Sequence, residues 1–359
     1  MPSLLRGVVL GLLVVGGGAT GCGRGERGAT LARGAPPEGQ DTAATSSQHH
    51  QSTASERESA PHSRPDTLLV YLAASLTRPF QPALDSFAAR TGAVIQRESG
   101  GSLDHARKIT ELHRIPDLLA LADAEVFPEL LMPAYVTWYA DFARDRMVVA
   151  YTDRSRGAAA LDSASWTGVL TRPDVQVGRA DPAVAPVGYR TLVMMQLAER
   201  YYRRPGLAAR LLANAPRRNM RPTASELAAL LSIGELDYIY DYESVARAYG
   251  FRWLRLPTAI DLSDPARAAE YARVSVSRRP RDSGAPAAAG DSAFVGHPIV
   301  FALSVPDAAP HHDAGIRLAA FVLSPEGRRL IGSTHLDVLP AALLVGAQAP
   351  TPVRDAVAR

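Results

Sequence analysis

The chain has 359 residues, which is enough for two domains, and its single cysteine has no partner within the chain. The net charge of +3 would fit a nucleic-acid-binding protein, but Lys108 is the one lysine and the arginines are scattered singly or in pairs. This scatter does not form a basic stripe, so the charge argues against a nucleic-acid partner.

The first 22 residues have the features of a secretory signal. Arg6 gives a short basic region, residues 8–15 are apolar, and small residues lead to Cys22. The apolar stretch is too short and too broken by glycine to span a membrane stably. The segment resembles a bacterial lipobox, in which Cys22 is lipidated and becomes the mature N-terminus. The alternative is an ordinary signal peptide over 1–21 with Cys22 incidental. We expect an exported protein, periplasmic or at the cell surface, with its membrane anchor at Cys22.

Residues 22–65 are predicted to form a disordered tether that follows the lipidated cysteine. The segment is rich in Gly, Ser, Thr, Ala, Gln and Pro and has almost no large apolar side chains. Such a segment buries too little apolar surface to offset the entropy lost on ordering. A flexible coil of this length spans roughly 35 Å, which would hold a folded domain just off a membrane.

From Asp66 onward, apolar runs alternate with helical patterns, which predicts an α/β fold with mainly parallel sheets. The predicted strands are 68–71, 118–121, 147–151, 175–178, 236–240, 253–256 and 299–305. The predicted helices are 78–90, 103–113, 188–202, 225–232, 243–249 and 314–323. Residues 277–295 are predicted to be a loop insertion.

Two serines directly precede predicted helices. Ser75 lies in VYLAASLTRPF, and Ser102 lies in ESGGSLDHARKI. Both are predicted to be N-caps, where unsatisfied N–H groups and the helix dipole favour an anion. The alternative for each is ordinary helix capping. Because both turns follow strands, and open α/β sheets bind ligands at the carboxyl ends of their strands, the pair indicates an oxyanion site.

Other chemistries have weaker support in the sequence. Ser99 in RESGGS is superficially like the serine of trypsin-like proteases, but G-x-S-x-G and S-x-x-K are both absent. A secreted serine hydrolase remains an alternative, and it would need a histidine beside its serine. The adjacent pairs 49–50 and 311–312 lack metal-ligand spacing. No phosphate-binding G-x-x-x-x-G-K-[ST] is present, and we expect no cofactor.

Two later segments also carry candidate residues. The segment DPAVAPVGYRT leads into the predicted helix 188–202 and provides a third helix N-terminus. The segment GELDYIYDYESVA ends a strand and turns into another helix. Tyr238 and Tyr240 are expected in the core, whereas Asp241 and Tyr242 lie at the strand end and are better placed to face a cleft.

Taken together, these motifs resemble the substrate-binding lipoproteins of ABC importers for tungstate and molybdate, especially an archaeal branch. The resemblance runs from about Leu69 to Pro340. It includes AASLTRPF, ESGGSLDHARKITEL, DLLALAD, FARDRMVVAYTD, RPDVQVGRADPAVAPVGYRT, LAALLSIGELDYIYDYESVA and LSPEGRRLI.

The resemblance implies a two-lobed periplasmic-binding-protein fold of type II, with a cleft between lobes that crossover strands join. The first lobe would comprise 66–147 and 259–345, the second 148–258, and a tail 346–359. The implied protein is not an enzyme but a monomer that binds tungstate or molybdate and delivers it to an ABC permease. Its other partner would be the membrane, through the lipid anchor.

The resemblance also implies a set of ligand contacts. Ser75 and Ser102 would donate hydrogen bonds, backbone N–H groups near Val187 and Ala224 would point at the anion, and Tyr242 would contact it. Asp241 matches a glutamate that coordinates the metal centre of the bound oxyanion.

One position departs from the archaeal pattern. Ala185 stands where that branch has a second coordinating aspartate, so we expect four or five ligands instead of six. Two roles for Asp241 stay open: a ligand to the metal centre, or an acceptor for a protonated anion. The second role would favour another oxyanion, such as phosphate, and sulfate is a further alternative.

Overall fold

The computed structural model describes residues 67–277 and 293–359. The predicted signal, Cys22 and the tether lie outside the described residues, as does most of the predicted insertion at 277–295. No helix within the described ranges is long and apolar enough to cross a membrane.

The described residues form strands and helices that alternate along the chain. The strands are β1 Thr67–Ala73, β2 Val94–Gly100, β3 Leu118–Leu121, β4 Tyr139–Arg144, β5 Met147–Tyr151, β6 Val177–Ala180, β7 Met220–Arg221, β8 Tyr238–Tyr242, β9 Arg252–Arg255, β10 Ser275–Ser277, β11 Ala293–Val295, β12 Val300–Ser304 and β13 Asp337–Val345. The α-helices are α1 Thr77–Thr91, α2 Ser102–Thr110, α3 Trp166–Val169, α4 Pro186–Tyr201, α5 Leu207–Ala213, α6 Ala224–Ile233, α7 Glu243–Ala248, α8 Ala268–Tyr271, α9 His312–Leu323, α10 Pro325–Gly332 and α11 Thr351–Val357. Short 3-10 helices cover Ala74–Leu76, Ala158–Ala160, Arg217–Asn219 and Pro265–Arg267, and Phe127–Leu131 is a π-helix.

Two sheets give the molecule its two lobes. The first has the strand order β13-β4-β12-β3-β1-β2, and the second has the order β7-β6-β8-β5-β9. A separate two-stranded ladder pairs β10 with β11, so the ends of the predicted insertion meet, with Ser277 opposite Ala293. The α/β fold class is therefore confirmed.

The predicted parallel character holds for only part of each sheet. Strands β1, β2 and β3 run parallel, as do β6, β7 and β8. Strand β12 is antiparallel to β3 and β4, and β5 is antiparallel to β8 and β9. The prediction of mainly parallel sheets is wrong, because the strands that flank the two passages between the lobes, β4, β5, β9 and β12, all pair antiparallel with their neighbours.

The chain passes between the lobes twice. Only Asp145 and Arg146 separate β4 in the first lobe from β5 in the second, and the return path runs from β9 to β12. A backbone hydrogen bond joins the two passages, since Met147 N donates to the Asp261 carbonyl at 2.8 Å. This double connection leaves the carboxyl ends of the parallel strands in both lobes facing a common interface.

Candidate functional site

Ser75 and Ser102 both lie where a strand gives way to a helix, but neither is an N-cap. Ser75 is inside the 3-10 turn that follows β1, and the residue that caps α1 is Leu76. Ser102 is the first residue of α2, after the extended Gly101. The N-cap prediction is therefore wrong for both serines, because Ser75 lies inside the 3-10 turn before the cap of α1 and Ser102 lies one residue after the cap of α2.

The hydroxyl of Ser102 joins two elements of the first lobe. The side chain is fully buried, and Oγ accepts a hydrogen bond from the backbone N of Ala122 at 3.0 Å. Ala122 directly follows β3, so this bond fixes the start of α2 against the end of that strand. A serine hydroxyl can still donate its proton after accepting a bond, so Ser102 keeps one donor.

Ser75 lines a cavity of about 140 Å³ between the lobes, here called the serine cavity. Its walls come from the start of α1 and the end of β2 in the first lobe and from α6, α7 and the residue after α7 in the second. The lining residues are Ala74, Ser75, Thr77, Arg78, Ser99, Ser225, Val245, Ala248 and Tyr249. Four of these carry hydroxyls apart from the tyrosine, one is a cation, and none is a carboxylate.

The first turn of α6 meets this cavity through Ser225. Thr223 caps the helix: its Oγ1 accepts from Glu226 N at 3.3 Å, and its carbonyl accepts from Leu227 N. Ala224 and Ser225 come before those two amides, and the first N–H groups of a helix have no partner within the helix. The start of α6 therefore offers the cavity backbone donors as well as a hydroxyl.

A second meeting of the lobes lies at α2. Leu103 N donates to the Val184 carbonyl at 3.2 Å, and Arg107 Nη1 donates to the Ala183 carbonyl at 2.9 Å. A Cβ atom on Gly101 would lie 2.3 Å from the Val184 carbonyl oxygen, so this approach requires glycine. The Leu103 amide in the first turn of α2 is thus bonded to protein and not open to an anion.

Val187 sits in the first turn of α4, which begins with Pro186 after Ala185. Val187 is buried, and its carbonyl accepts a hydrogen bond from Thr191 Oγ1 at 2.7 Å. It does not line the serine cavity. Among the described residues, the structure brings Ser75 and the start of α6 together but places Val187 and Ser102 outside that cavity.

Tyr242 belongs to a buried network that crosses the interface between the lobes. Its hydroxyl accepts from Arg190 Nη1 at 2.8 Å, while Arg190 Nη2 lies 3.1 Å from Asp123 Oδ1. The Tyr189 hydroxyl donates to the other oxygen of Asp123. Burial disfavours the Asp123 carboxylate, but the nearby Arg190 and His297 and the Tyr189 bond outweigh it, so the pKa lies below its usual value.

Asp241 is fully buried one residue before Tyr242, and adjacent strand residues point to opposite faces. Its Oδ1 accepts from Tyr242 N at 2.7 Å, whereas Oδ2 has no hydrogen-bond partner among the described residues. Burial raises the pKa of Asp241 to about 8, and the Asp145 carboxylate adds to the rise. Tyr238 and Tyr240 are both fully buried, which confirms their predicted place in the core.

A larger cavity of about 330 Å³ lies beside the crossover and is here called the crossover cavity. Its charged lining residues are Arg144, Asp145, Arg146, Glu243, Arg247, Arg255 and Asp337. Glu243 binds Arg255 through both oxygens, at 2.8 and 2.9 Å, and lies within 3.7 Å of both Arg146 and Arg247. Burial raises the pKa of Asp145 to about 7, against hydrogen bonds that favour its charged form.

The chain matches the family of bacterial extracellular solute-binding proteins over residues 68–336. It belongs to that family. An uncharacterized solute-binding protein of Petrotoga mobilis is 37% identical over 265 residues, covering 74% of this chain and 81% of that protein. The molybdate/tungstate-binding protein WtpA of Thermococcus kodakarensis is 31% identical over 307 residues, covering 78% of this chain and 84% of the relative.

Two solved structures show the same fold. The periplasmic molybdate-binding protein of Azotobacter vinelandii has a TM-score of 0.54 at 13% identity, covering 76% of this chain and 99% of that one. The sulfate-binding protein SubI of Mycobacterium tuberculosis has a TM-score of 0.51 at 14% identity, covering 81% and 90%. The two-lobed periplasmic-binding-protein fold is therefore confirmed. Membership of the solute-binding family implies that the protein works outside the cytoplasm, with a ligand and a transporter permease as its partners.

Sequence reasoning missed the buried network of Asp123, Tyr189 and Arg190. In the sequence, DLLALAD is a mark of the family resemblance, and GYRT is in addition the start of a predicted helix, so neither segment predicts a buried ion pair. A charged residue two positions after a buried strand and another in an apolar helix were the available signals. The ion pair between Asp123 and Arg190 could not be predicted from the sequence, because it forms only when the two lobes meet.

Proposed function

We propose that this solute-binding protein captures tungstate or molybdate and delivers it to an ABC permease. Family membership supports the transport role, and the T. kodakarensis relative, named for molybdate and tungstate, supports the ligand class. The same membership favours a binding protein over an enzyme. For the hydrolase alternative, Ser99 Oγ lies 2.9 Å from Thr77 Oγ1, and no histidine is among the residues that line their cavity.

The lining of the serine cavity is the observation that carries the proposal. Hydroxyls, the first turn of α6 and one guanidinium are all donors, and no carboxylate shares the wall with them. A tungstate or molybdate dianion has no proton to donate at neutral pH, so acceptors repel it and converging donors hold it. Helix N-terminal amides add donors without bringing in mobile counter-ions.

Ser75 is the predicted ligand contact that lines this cavity, and Ala224 directly precedes the lining residue Ser225, so the backbone at Ala224 is proposed as a second contact. Ser102, Val187 and Tyr242 stay predicted contacts, since they lie outside the cavity walls. Asp241 as a ligand to the metal centre also stays a prediction. Its buried Oδ2 has no hydrogen-bond partner among the described residues, and a metal centre would give that oxygen a partner.

Titration calorimetry of the purified protein with tungstate, molybdate, sulfate and phosphate tests the ligand class. We expect tight binding of tungstate and molybdate and much weaker binding of sulfate and phosphate. A donor-only cavity also fits sulfate, which is fully deprotonated at neutral pH. If sulfate binds as tightly as tungstate, the protein is a general oxyanion carrier and the proposal is wrong. If phosphate binds more tightly than tungstate, Asp241 accepts a hydrogen bond from a protonated anion.

We also propose that Cys22 carries the lipid anchor. Cys22→Ser should release the protein from the membrane fraction and leave ligand affinity unchanged, because Cys22 lies outside the sequence of both predicted lobes. The check is fractionation of cells that express the full chain, followed by a carbonate wash. A variant that still sediments with membranes after the wash would show that the anchor is elsewhere.

A further inference from the structure

Arg78 reaches from the first lobe to the second at the edge of the serine cavity. It is the second residue of α1, and its Nη1 donates to the Ala248 carbonyl at 2.7 Å. The same guanidinium lies 3.8 Å from the centre of the Tyr249 ring. Ala248 ends α7 and Tyr249 follows it, so one side chain makes two different contacts with the second lobe.

The geometry uses properties that arginine alone combines. A planar guanidinium can stack on an aromatic face while its edge donates to a carbonyl, whereas a lysine ammonium is a point charge without that plane. The last carbonyls of a helix lack partners within the helix, and a basic side chain is a favourable partner for them. Both contacts therefore stabilise the arrangement in which the lobes meet.

Arg78 is also the one charged side chain among the residues that line the serine cavity. A cation in that wall attracts an oxyanion, and the same cation is held by the opposite lobe. The Arg78 side chain therefore both attracts the anion and holds the two lobes together. This argument rests on the proposed function for the identity of the ligand, but not for the contact between the lobes.

We propose that Arg78 is a positioning residue that clamps the closed state over the bound oxyanion. With the clamp formed, the lobes stay together and the anion leaves slowly. With the clamp broken, the lobes separate more readily and the anion escapes sooner. The clamp therefore sets the dissociation rate more than the association rate.

The experiment compares Arg78→Gln, Arg78→Lys and Tyr249→Leu with the unmodified protein. Arg252→Gln is the matched control, because Arg252 is also exposed, lies 5.4 Å from the Tyr151 ring and pairs with Asp153, all within the second lobe. Stopped-flow kinetics with tungstate give both rate constants. Small-angle scattering of each ligand-free protein gives the radius of gyration.

We expect Arg78→Gln to raise the dissociation rate about tenfold, since a hydrogen bond from a charged donor and a stacking contact are both lost. Arg78→Lys and Tyr249→Leu should each raise it by about threefold to fivefold. A double variant that combines Arg78→Gln with Tyr249→Leu should release tungstate no faster than Arg78→Gln alone, because the two residues share one interaction. The ligand-free radius of gyration should increase in Arg78→Gln and stay unchanged in Arg252→Gln.

Unchanged dissociation rates and unchanged radii in both Arg78→Gln and Tyr249→Leu would overturn the clamp. Strictly additive effects would also overturn it, since they would mean that the two residues act separately. If the unmodified protein does not bind tungstate, the proposed ligand is wrong, yet the ligand-free scattering still decides the clamp.

Discussion

The two cavities at the lobe interface differ in how their polar groups are used. The crossover cavity is the larger and has four arginines in its wall, but Glu243 pairs with three of them. The serine cavity has a single arginine, yet its hydroxyls and the first amides of α6 face no carboxylate. The comparison favours the serine cavity for an anion, because donors without a neighbouring carboxylate matter more there than the number of cations.

The two cavities also differ in the number of carboxylates near them. Asp145 lines the crossover cavity and lies close enough to the buried Asp241 to raise the pKa of Asp241 further. The serine cavity has no titrating carboxyl in its wall. The crossover region should therefore determine how folding responds to pH, while the serine cavity should determine how the anion binds.

The largest expected effect concerns pH and folding. The pKa of folded Asp241 lies at about 8, above its usual 3.8, so its stabilising contribution is present below that usual value and is lost as pH rises towards 8. The loss approaches 1.4 kcal/mol per pH unit, or about 3 kcal/mol between about pH 5.5 and pH 7.5. We expect Asp241→Asn to flatten this decline, as measured by denaturant unfolding across the pH range.

Asp153→Asn is the control for that measurement, because Asp153 is an exposed aspartate in the same lobe. It should leave the decline with pH unchanged. An Asp241→Asn protein whose stability falls as steeply as that of the unmodified protein would mean that Asp241 is ionised in the fold. The contrast between the two cavities would then lose its electrostatic basis.

The next largest effect concerns affinity. Ser75→Ala should weaken tungstate binding by about thirtyfold, since a donor to a charged acceptor contributes about 2 kcal/mol. Ser244→Ala removes a buried hydroxyl from the crossover cavity and should change affinity less than twofold. Calorimetry that gives the reverse order would place the anion in the crossover cavity.

Asp241→Asn sharpens the same test. Because Asp241 does not line the serine cavity, we expect its substitution to weaken tungstate binding less than Ser75→Ala does. If Asp241 coordinated the metal centre as a carboxylate, binding at neutral pH would release a proton, given its raised pKa. Calorimetry in buffers of different ionisation enthalpy counts that proton, and a full proton released would bring Asp241 into the site.

The smallest effect separates folding from binding in the first lobe. Ser102→Ala leaves the buried Ala122 amide without its acceptor and should lower the free energy of unfolding by about 1 kcal/mol. Thr91→Ala is a suitable control, because its hydroxyl donates to the Phe87 carbonyl at the exposed end of α1. If Ser102→Ala weakens binding and leaves stability intact, its hydroxyl serves the ligand and not the strand.

The sequence predicted the central strands better than the edges. Strands 118–121 and 147–151 have the predicted bounds, because continuous buried apolar runs admit few alternatives. Strand β2 was missed because it forms one edge of its sheet and reads VIQRESG, with exposed polar side chains. Strand β13 lies at the other edge and contains Pro340, which argues against a strand.

The site could be predicted where it depends on the order of neighbouring strands and helices along the chain. Ser75 could be found because a serine after an apolar run and before a helix points to the carboxyl end of a strand. The contact of Arg78 with Tyr249 could not be found, since 171 positions separate the two residues and the contact exists only once both lobes have folded. The same holds for Asp145 and Asp241, whose pKa values depend on burial by the whole fold.

The short link between β4 and β5 also bears on how the protein is made. Strand β12 lies between β3 and β4 in the first sheet, but the ribosome produces it only after the whole second lobe. The strands of the second lobe, β5 to β9, are contiguous in the chain and can pair as soon as they emerge. Because domains fold as units during synthesis, the nested lobe completes its sheet first, and the outer lobe waits with β3 and β4 unjoined until its last strands arrive.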